Sequence, residues 1–485
     1  MASRLPMLFL LGSVFLSMVS GHNAFSEKEK SQQQKQNPYL FRSQNFKTRF
    51  ENQRGRIRIL PRFDQRHPHL QGLQNYRLVE LEIQPHSLFL PHHRDAENVL
   101  VVLEGKAIVS IVNQTNKETY NLEQGDVLRV RPGRLVYVAN VEQNQKFRAT
   151  SILIPVNIPG QYENLYPFGN QDPLSYYIAF SKKTLEATFN SKYNEIERIL
   201  FGQKQQGEKG QEQSSNEGVM VKLSSEQARE LRKHAESSSS SSSSPRRRRS
   251  PSSSPSSSRP IFNLRNVEPR YSNSYGNMWE VRPEDSPELL RDLDMSVAVL
   301  ELKKGSLFLP HYNSKGILIS QVIDGEAKLE LASPHLANER SQEQGQENKH
   351  HEEEKQHDEE EKQEEQSEGQ IRRVSSRLNQ GDVFVALAGH PLALRASKKN
   401  DLWTVGFLLD ADNNQRNFLG GEKDNVINQI DRIVLEQAVN GSGEEAEKLL
   451  NNQKESYFVN AQRSRSDEDQ EEGSPLLSIL EEESF

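Results

Sequence analysis

From residue 37 to about residue 167 the chain is written in short apolar runs separated by turn residues. In "VELEIQ" the residues Val79, Leu81 and Ile83 alternate with polar neighbours, the period of two that marks a strand with one wet face. "NVLVVLEG" and "KAIVSIV" are apolar at both parities, which predicts strands covered on two sides, with Glu104 and Gly105 forming the turn between them. Gly125-Asp126 and Gly381-Asp382 mark further turns leading into "VLRV" and "VFVA". Many short strands with no helices between them predict a mainly β fold, either a sandwich or a closed barrel.

The pattern then changes period. Leu185, Phe189, Ile196 and Leu200 fall at helical spacing, and Leu435, Val439, Ala446 and Leu450 repeat that stripe later in the chain. Ser442 followed by Glu445 predicts a capping box that opens the last helix. Such a stripe on a helix pair leaving a barrel either folds back on that barrel or docks on a neighbouring subunit.

These helices belong to a repeat that runs through the whole chain. "SLFLPH" occurs at residues 87–92 and again at 306–311, "LEQGDV" at Leu122 matches "LNQGDV" at Leu378, and "LEATFNSKYNEIERIL" at Leu185 aligns without gaps to "LEQAVNGSGEEAEKLL" at Leu435. The separation between copies widens after the first match because an acidic insertion, residues 333–370, interrupts the second copy. Insertions of this kind map to surface loops.

Length and composition agree with a duplicated unit. At 485 residues the chain is too long for one compact core, and 34% hydrophobic with 27% charged residues fits globular units joined by polar segments. The expected plan is a signal peptide at 1–21, a polar segment at 22–36, a first domain with its helical arm at 37–201, a disordered Ser/Arg/Gln-rich linker at 202–260, a second domain with its arm at 261–455, and a polar tail at 456–485. The signal is read from Arg4, the apolar run "LPMLFLLGSVFLSMV", and the small residues Ser20 and Gly21. No later run reaches the roughly 18 apolar residues of a membrane span, so the expectation is a soluble product of the secretory pathway without stable membrane association. Cysteine is absent although an oxidising lumen would permit disulfides, which leaves stability to packing and assembly. The net charge is −7, with a basic "SPRRRRS" at residues 244–250 and an acidic "EEEKQHDEEEKQEEQSEG" at residues 352–369. Without interleaved aromatics the arginine run reads as a solvated, protease-sensitive linker and not as a nucleic-acid site.

"PHSLFLPHHRDAENVLVVLEGKA" with "GDVLRVRPGRLVYVAN", and "KGSLFLPHYNSKGILISQVIDGEA" with "GDVFVALAGHPLALRAS", resemble two copies of the paired cupin motifs. Together with "NNQRNFLGGEKDNVINQI" and "KESYFVNAQ" they make the chain similar to the vicilin-type (7S globulin) seed storage proteins of plants, over nearly all of residues 37–462. The resemblance implies two cupin jelly-roll barrels, each followed by a small helical arm. It also implies a homotrimer formed through the arms, with Leu185, Phe189, Ile196, Leu200, Leu435, Val439, Ala446 and Leu450 as contacts. The implied destination is the seed protein-storage vacuole, and the implied role is a nutrient reservoir cut by processing proteases and degraded on germination.

Cupin enzymes hold Mn, Fe or Ni with three histidines and a glutamate, because such ions need several converging N and O donors. Carried over one at a time, those positions read His92, Arg94, Asn98 and Val136 in the first copy, and His311, Asn313, Leu318 and Leu392 in the second. Arg94 brings a fixed positive charge, and Val136, Leu318 and Leu392 offer no lone pair. The nearby His93 and His390 do not restore a set, so no metal or other cofactor is expected. Arg131 and Leu387 stand where the second motif usually carries proline.

No "GxSxG", P-loop, "HExxH" or cysteine nucleophile occurs, and the acidic clusters lie in low-complexity sequence that cannot hold two carboxylates in fixed geometry. The expectation is a protein that is not an enzyme. Asn113-Gln114-Thr115 and Asn440-Gly441-Ser442 are candidate glycosylation sequons in turns. An alternative role is sugar binding in an emptied cupin barrel.

Overall fold

The computed structural model describes residues 37–202, 218–240, 261–336 and 371–461. The expected signal peptide, the polar segment 22–36, the basic run 244–250 and the acidic run 352–369 lie outside the described residues.

Each copy of the repeat folds as two facing antiparallel sheets. In the first copy, Ser87–Arg94 lies beside Leu135–Asn140, which is followed in the sheet by Ala107–Val112 and Lys117–Leu122. The opposing sheet runs Asp126–Val130, Ala96–Glu104, Phe147–Pro155, Arg77–Ile83, Gly55–Ile59 and Lys47–Asn52. The second copy repeats the arrangement, with Ser306–Asn313 beside Leu392–Ala396 and with Ile317–Asp324, Leu402–Leu409, Met295–Leu302 and Gly276–Val281 opposite. Among the described residues no ladder joins the two sheets of either copy, so each is a jelly roll closed by inward side chains and not a hydrogen-bonded barrel. The turns fall at the expected glycines. Gly105 has φ +78°, and a Cβ there would stand 2.2 Å from the carbonyl oxygen of Lys146, so only glycine fits.

The run "NVLVVLEG" is apolar at both parities because of the contact between the two jelly rolls. In Ala96–Glu104, Leu100 and Val102 face the interior of the first jelly roll, whereas Val99, Val101 and Leu103 share one apolar cluster with Val297, Val299 and Ile319 of the second. Ile152 and Leu78 belong to that shared cluster, while Leu153 and Val79 point inward. Burying such side chains stabilises the fold by about 1.5–3 kcal/mol each. Polar groups cross the same seam: Thr150 Oγ1 donates to Gln321 Oε1 at 2.8 Å, and Gln321 Nε2 donates to Glu80 Oε1 at 2.5 Å.

The domain boundaries expected from the sequence are crossed in both directions. Leu40–Phe41 pairs with Val383–Ala386 of the second jelly roll, and Ile261–Asn263 pairs with Asp126–Val130 of the first. The two "GDV" turns receive these exchanged strands. Asp126 accepts from Asn263 Nδ2 at 2.7 Å, and Asp382 accepts from Arg42 Nη1 at 2.9 Å and from the Ser43 amide at 2.8 Å.

Two further expectations are corrected. The linker 202–260 is not disordered throughout: Met220–Lys222 adds a strand beside Ser87–Phe89, and the helix Ser225–Ser240 follows it. Leu223, Ala228 and Ala235 cover Ile108, Ala139 and Val141 on the outer face of that sheet. The tail expected at 456–485 contains a strand close to its start, Phe458–Asn460, which pairs with Ser306–Phe308. On the second jelly roll the ladder places Lys328 and Arg395 where the first carries Ile108 and Ala139, so that outer face is polar and needs no covering helix.

The arms are the helix pairs Lys182–Phe189 with Tyr193–Leu200, and Arg432–Ala438 with Gly443–Leu450. Ser181 caps the first helix by accepting from the Thr184 amide, and Asn190 ends it in the left-handed region at φ 48°. The expected capping box is present: Ser442 Oγ accepts from the Glu445 amide at 3.2 Å, and Glu445 Oε2 accepts from the Ser442 amide at 2.8 Å.

Candidate functional site

His92 and Arg94 share the inner face of Ser87–Arg94, and Val136 lies directly across the ladder from His92. Asn98 reaches the same space from Ala96–Glu104, so the four carried-over positions of the first copy do converge. What they build is the reverse of a metal centre. The His92 Nδ1–H donates to the Leu90 carbonyl at 2.8 Å, because a carbonyl can only accept. The remaining lone pair, on Nε2, accepts from Arg94 Nη2 at 2.8 Å. The guanidinium thus occupies the electron pair that His92 could otherwise offer a metal. Burial, then the Arg94 charge, pushes the His92 imidazole down to about 3, so it stays neutral.

Around this pair lies a cavity of about 40 Å³, with Arg94, Asn98, Tyr162 and Asn164 among apolar side chains. That is room for roughly three water-sized positions. Arg94 Nε, Asn98 Oδ1 and Asn164 Oδ1 are buried without a hydrogen-bond partner among the described residues. The ionisable groups acting on Arg94 are Tyr162, Tyr166 and Arg49, none of them a carboxylate.

In the second copy His311 is likewise buried, its Nδ1–H donating to the Leu309 carbonyl at 2.8 Å, and burial pushes it down to about 3. Leu392 lies across the ladder from it and Leu318 stands on Ile317–Asp324, so neither position supplies a donor atom. Asn313 accepts from Asn414 Nδ2 at 3.1 Å. His93 stands opposite Leu165 with its ring 5.7 Å from that of Tyr176, and His390 is buried between Tyr39 and His335. Among the described residues no three His, Cys, Asp or Glu side chains form a metal-holding group.

Sequence reasoning missed the most polar feature of the second interior. Arg416 lies across from Asn313, with Nη2 3.2 Å from Glu280 Oε1, and both side chains are under 10% exposed. Burial acts to raise Glu280, but Arg416, Arg270 and Arg282 outweigh it and hold the carboxylate below its usual range. No spacing rule links residues this distant in sequence; the clue is an isolated glutamate inside the otherwise strand-like "GNMWEV".

The arm residues divide. Leu185 and Ile196 are buried in the cluster that holds the first helix pair together, with Leu200 half-buried beside them, and Leu435 and Ala446 are buried in the second arm. Leu450 is half-buried, and Phe189 and Val439 are exposed. The apolar side chains that face outward are chiefly Ile178 and Phe180 in the turn leading into the first arm, Ile199 on that arm, and Ile433, Val434 and Leu449 on the second. Asn113 sits at a hairpin tip, its Oδ1 accepting from the Thr115 amide at 2.9 Å and from Thr115 Oγ1 at 3.1 Å; Asn440 is exposed between the helices of the second arm. No helix among the described residues is long and apolar enough to cross a membrane.

The cupin family pattern matches residues 39–154 and 262–447. The chain is 44% identical to conglutin beta 1 of Lupinus albus over 454 residues, 91% of this chain and 79% of that one. It is 43% identical to conglutin beta 2 of Lupinus angustifolius over 432 residues, where the match spans 88% of this chain and 66% of the relative's length. Among solved structures it is similar to vicilin from Corylus avellana, with 33% identity and a TM-score of 0.70 over 87% of this chain and 99% of that one. It is also similar to a vicilin from Solanum melongena, with 32% identity and a TM-score of 0.71 over 87% of this chain and 98% of that one; that protein is described as having "different anionic ligands in structurally similar pockets". Two cupin jelly rolls, and relatives that match across nearly the whole described chain, place this protein in the vicilin-type (7S globulin) two-cupin family.

Proposed function

We propose that the protein is a seed storage globulin, a nitrogen and carbon reserve that reaches the protein-storage vacuole by the secretory route and is degraded on germination. The observation that carries this reading is the Arg94–His92 bond, which engages the free lone pair of the one histidine retained among the carried-over positions of the first cupin interior. With apolar residues at Val136, Leu318 and Leu392, neither interior keeps the three-histidine, one-glutamate set of a cupin enzyme, which supports a protein that is not an enzyme. Its usefulness then lies in durable bulk. Processing proteases cut first in the polar stretches 202–260 and 333–370. Asn113 and Asn440 carry glycans. Protein abundance followed by mass spectrometry through seed filling and germination rises and then falls; a level that stays constant through germination rejects the reading.

The reserve is stored as a homotrimer in which the first arm of one copy meets the second arm of the next. Ile178, Phe180 and Ile199 against Ile433, Val434 and Leu449 supply two different apolar faces, and a head-to-tail contact between unlike faces closes into a ring.

A second reading concerns the first interior. A buried guanidinium with no carboxylate acting on it among the described residues, and the anionic ligands described for the Solanum melongena vicilin, support a pocket that holds a small anion beside Arg94. The sugar-binding alternative has no such support, since space for roughly three waters is far below that of a hexose. Thermal melting separates the two: the midpoint rises with acetate over an equal concentration of a bulky anion and does not respond to sucrose.

A further inference from the structure

Both interiors carry one guanidinium beside the retained histidine, but they draw it from opposite strands. In the first it is Arg94, with Asn164 across the ladder; in the second it is Arg416, with Asn313 across the ladder. The arginine–asparagine pair is kept and its two sides are exchanged. What differs between the copies is the counter-charge. Glu280 lies 3.2 Å from Arg416 Nη2 and 3.4 Å from Arg270 Nε, and it accepts from Ser296 Oγ at 3.2 Å.

The ladders identify the residue that stands in the place of Glu280 in the first copy. Ile83 and Leu302 each precede a "SLFLPH" by the same interval, and they pair with Gly55 and Gly276 respectively. Following both strands from those glycines brings Ile59, opposite Val79, into register with Glu280, opposite Ala298. Ile59 is buried and apolar, and Val79 lines the cavity that Arg94 enters. One jelly roll therefore has a carboxylate facing its internal arginine, and the other has a hydrocarbon at the equivalent position.

We propose that Glu280 acts as a built-in anion that closes the second interior, so that each chain takes an exchangeable small anion in the first jelly roll only. The proposal rests on the anion reading of the first interior given above. A buried cation without a counter-charge attracts a mobile anion, whereas one already paired with a fixed carboxylate has its charge cancelled and offers the anion no such gain. The class of ligand is a small monovalent anion, a halide or a short carboxylate, because the cavity admits nothing much larger.

Bromide soaked into crystals of the full chain tests this, since its anomalous signal locates the ion directly. The wild type shows one peak beside Arg94 and none beside Arg416. Glu280→Gln adds a second peak beside Arg416. Ile59→Glu, which installs the carboxylate in the first jelly roll, loses the peak beside Arg94, so the proposal stays testable if Glu280→Gln does not fold. A wild-type peak beside Arg416 overturns the proposal, as does a peak that persists beside Arg94 in Ile59→Glu. No wild-type peak in either interior, with a gain beside Arg416 in Glu280→Gln, instead rejects the anion reading of the first pocket and leaves the role of Glu280 standing.

Discussion

Asn263 donates its side-chain amide to Asp126 at 2.7 Å across 137 residues of sequence, carrying the first strand of the second half into the sheet of the first. Arg42 and Asp382 make the reciprocal contact at 2.9 Å. Each half thus holds a strand of the other, and an apolar seam lies between them. Cleavage within residues 245–249 should leave the two halves associated. A nicked sample is expected to run as two bands in denaturing gels and as one species in native size exclusion; separation of the halves without denaturant contradicts the interlock.

Arg129 makes the strongest test of that seam. Its side chain is 1% exposed and bonds Glu97 at 2.8 Å and, from the second half, Asp292 at 2.9 Å. Removing one partner of a buried pair leaves a stranded charge and typically costs about 3–5 kcal/mol. Arg129→Ala should therefore shift the denaturant midpoint strongly downward. Asp292 is 54% exposed, so Asp292→Ala should cost only about 0–1 kcal/mol. Equal shifts for the two variants would refute the assignment.

Acid should destabilise the fold well before its carboxylates titrate. Burial holds His92 and His311 near 3 and His390 near 4, against the ordinary histidine value of 6.5. Above pH 6.5 these rings are neutral in both folded and unfolded chains, and their full contribution is present. As pH falls below 6.5 the unfolded chain takes up protons that the folded chain refuses, and stability is lost until the folded values are reached. Each histidine contributes a slope of up to about 1.4 kcal/mol per pH unit. His311→Phe should flatten the dependence between pH 6 and pH 4.5 by close to one proton, read from denaturant midpoints; an unchanged slope would show that His311 titrates normally.

The arms provide a contrast between an outward and an inward apolar residue. Ile433 is 70% exposed and Leu185 is 2% exposed. Ile433→Asp should reduce the sedimenting mass to that of one chain with an unchanged circular dichroism spectrum. Leu185→Asp should lower the melting temperature, because it places a charge inside the helix pair. Full assembly of Ile433→Asp would remove the arms from the interface.

Several features were legible before any coordinates. Alternation in "VELEIQ", turns at Gly105 and Gly125, the Ser442–Glu445 cap and the loss of ligand atoms at Val136, Leu318 and Leu392 depend on neighbours in sequence or on residue chemistry alone. The strand Met220–Lys222 and the helix after it also have a local signal: "VMVKL" followed by Ser224 and Gln227, whose side chains cap each other's amides at 3.1 and 2.8 Å. Low-complexity residues on either side hid it.

The sequence by itself determined the β character, the duplication and the lack of donor atoms at Val136, Leu318 and Leu392, because period, repeat and donor atoms are properties of the residues. Only the tertiary structure decided which face of "NVLVVLEG" meets the other jelly roll, which half owns each edge strand, and that Arg94 faces hydrocarbon while Arg416 faces Glu280. Those outcomes depend on strand register and on contacts between residues far apart in the chain, and a periodic pattern carries no information about which distant partner will lie across the ladder.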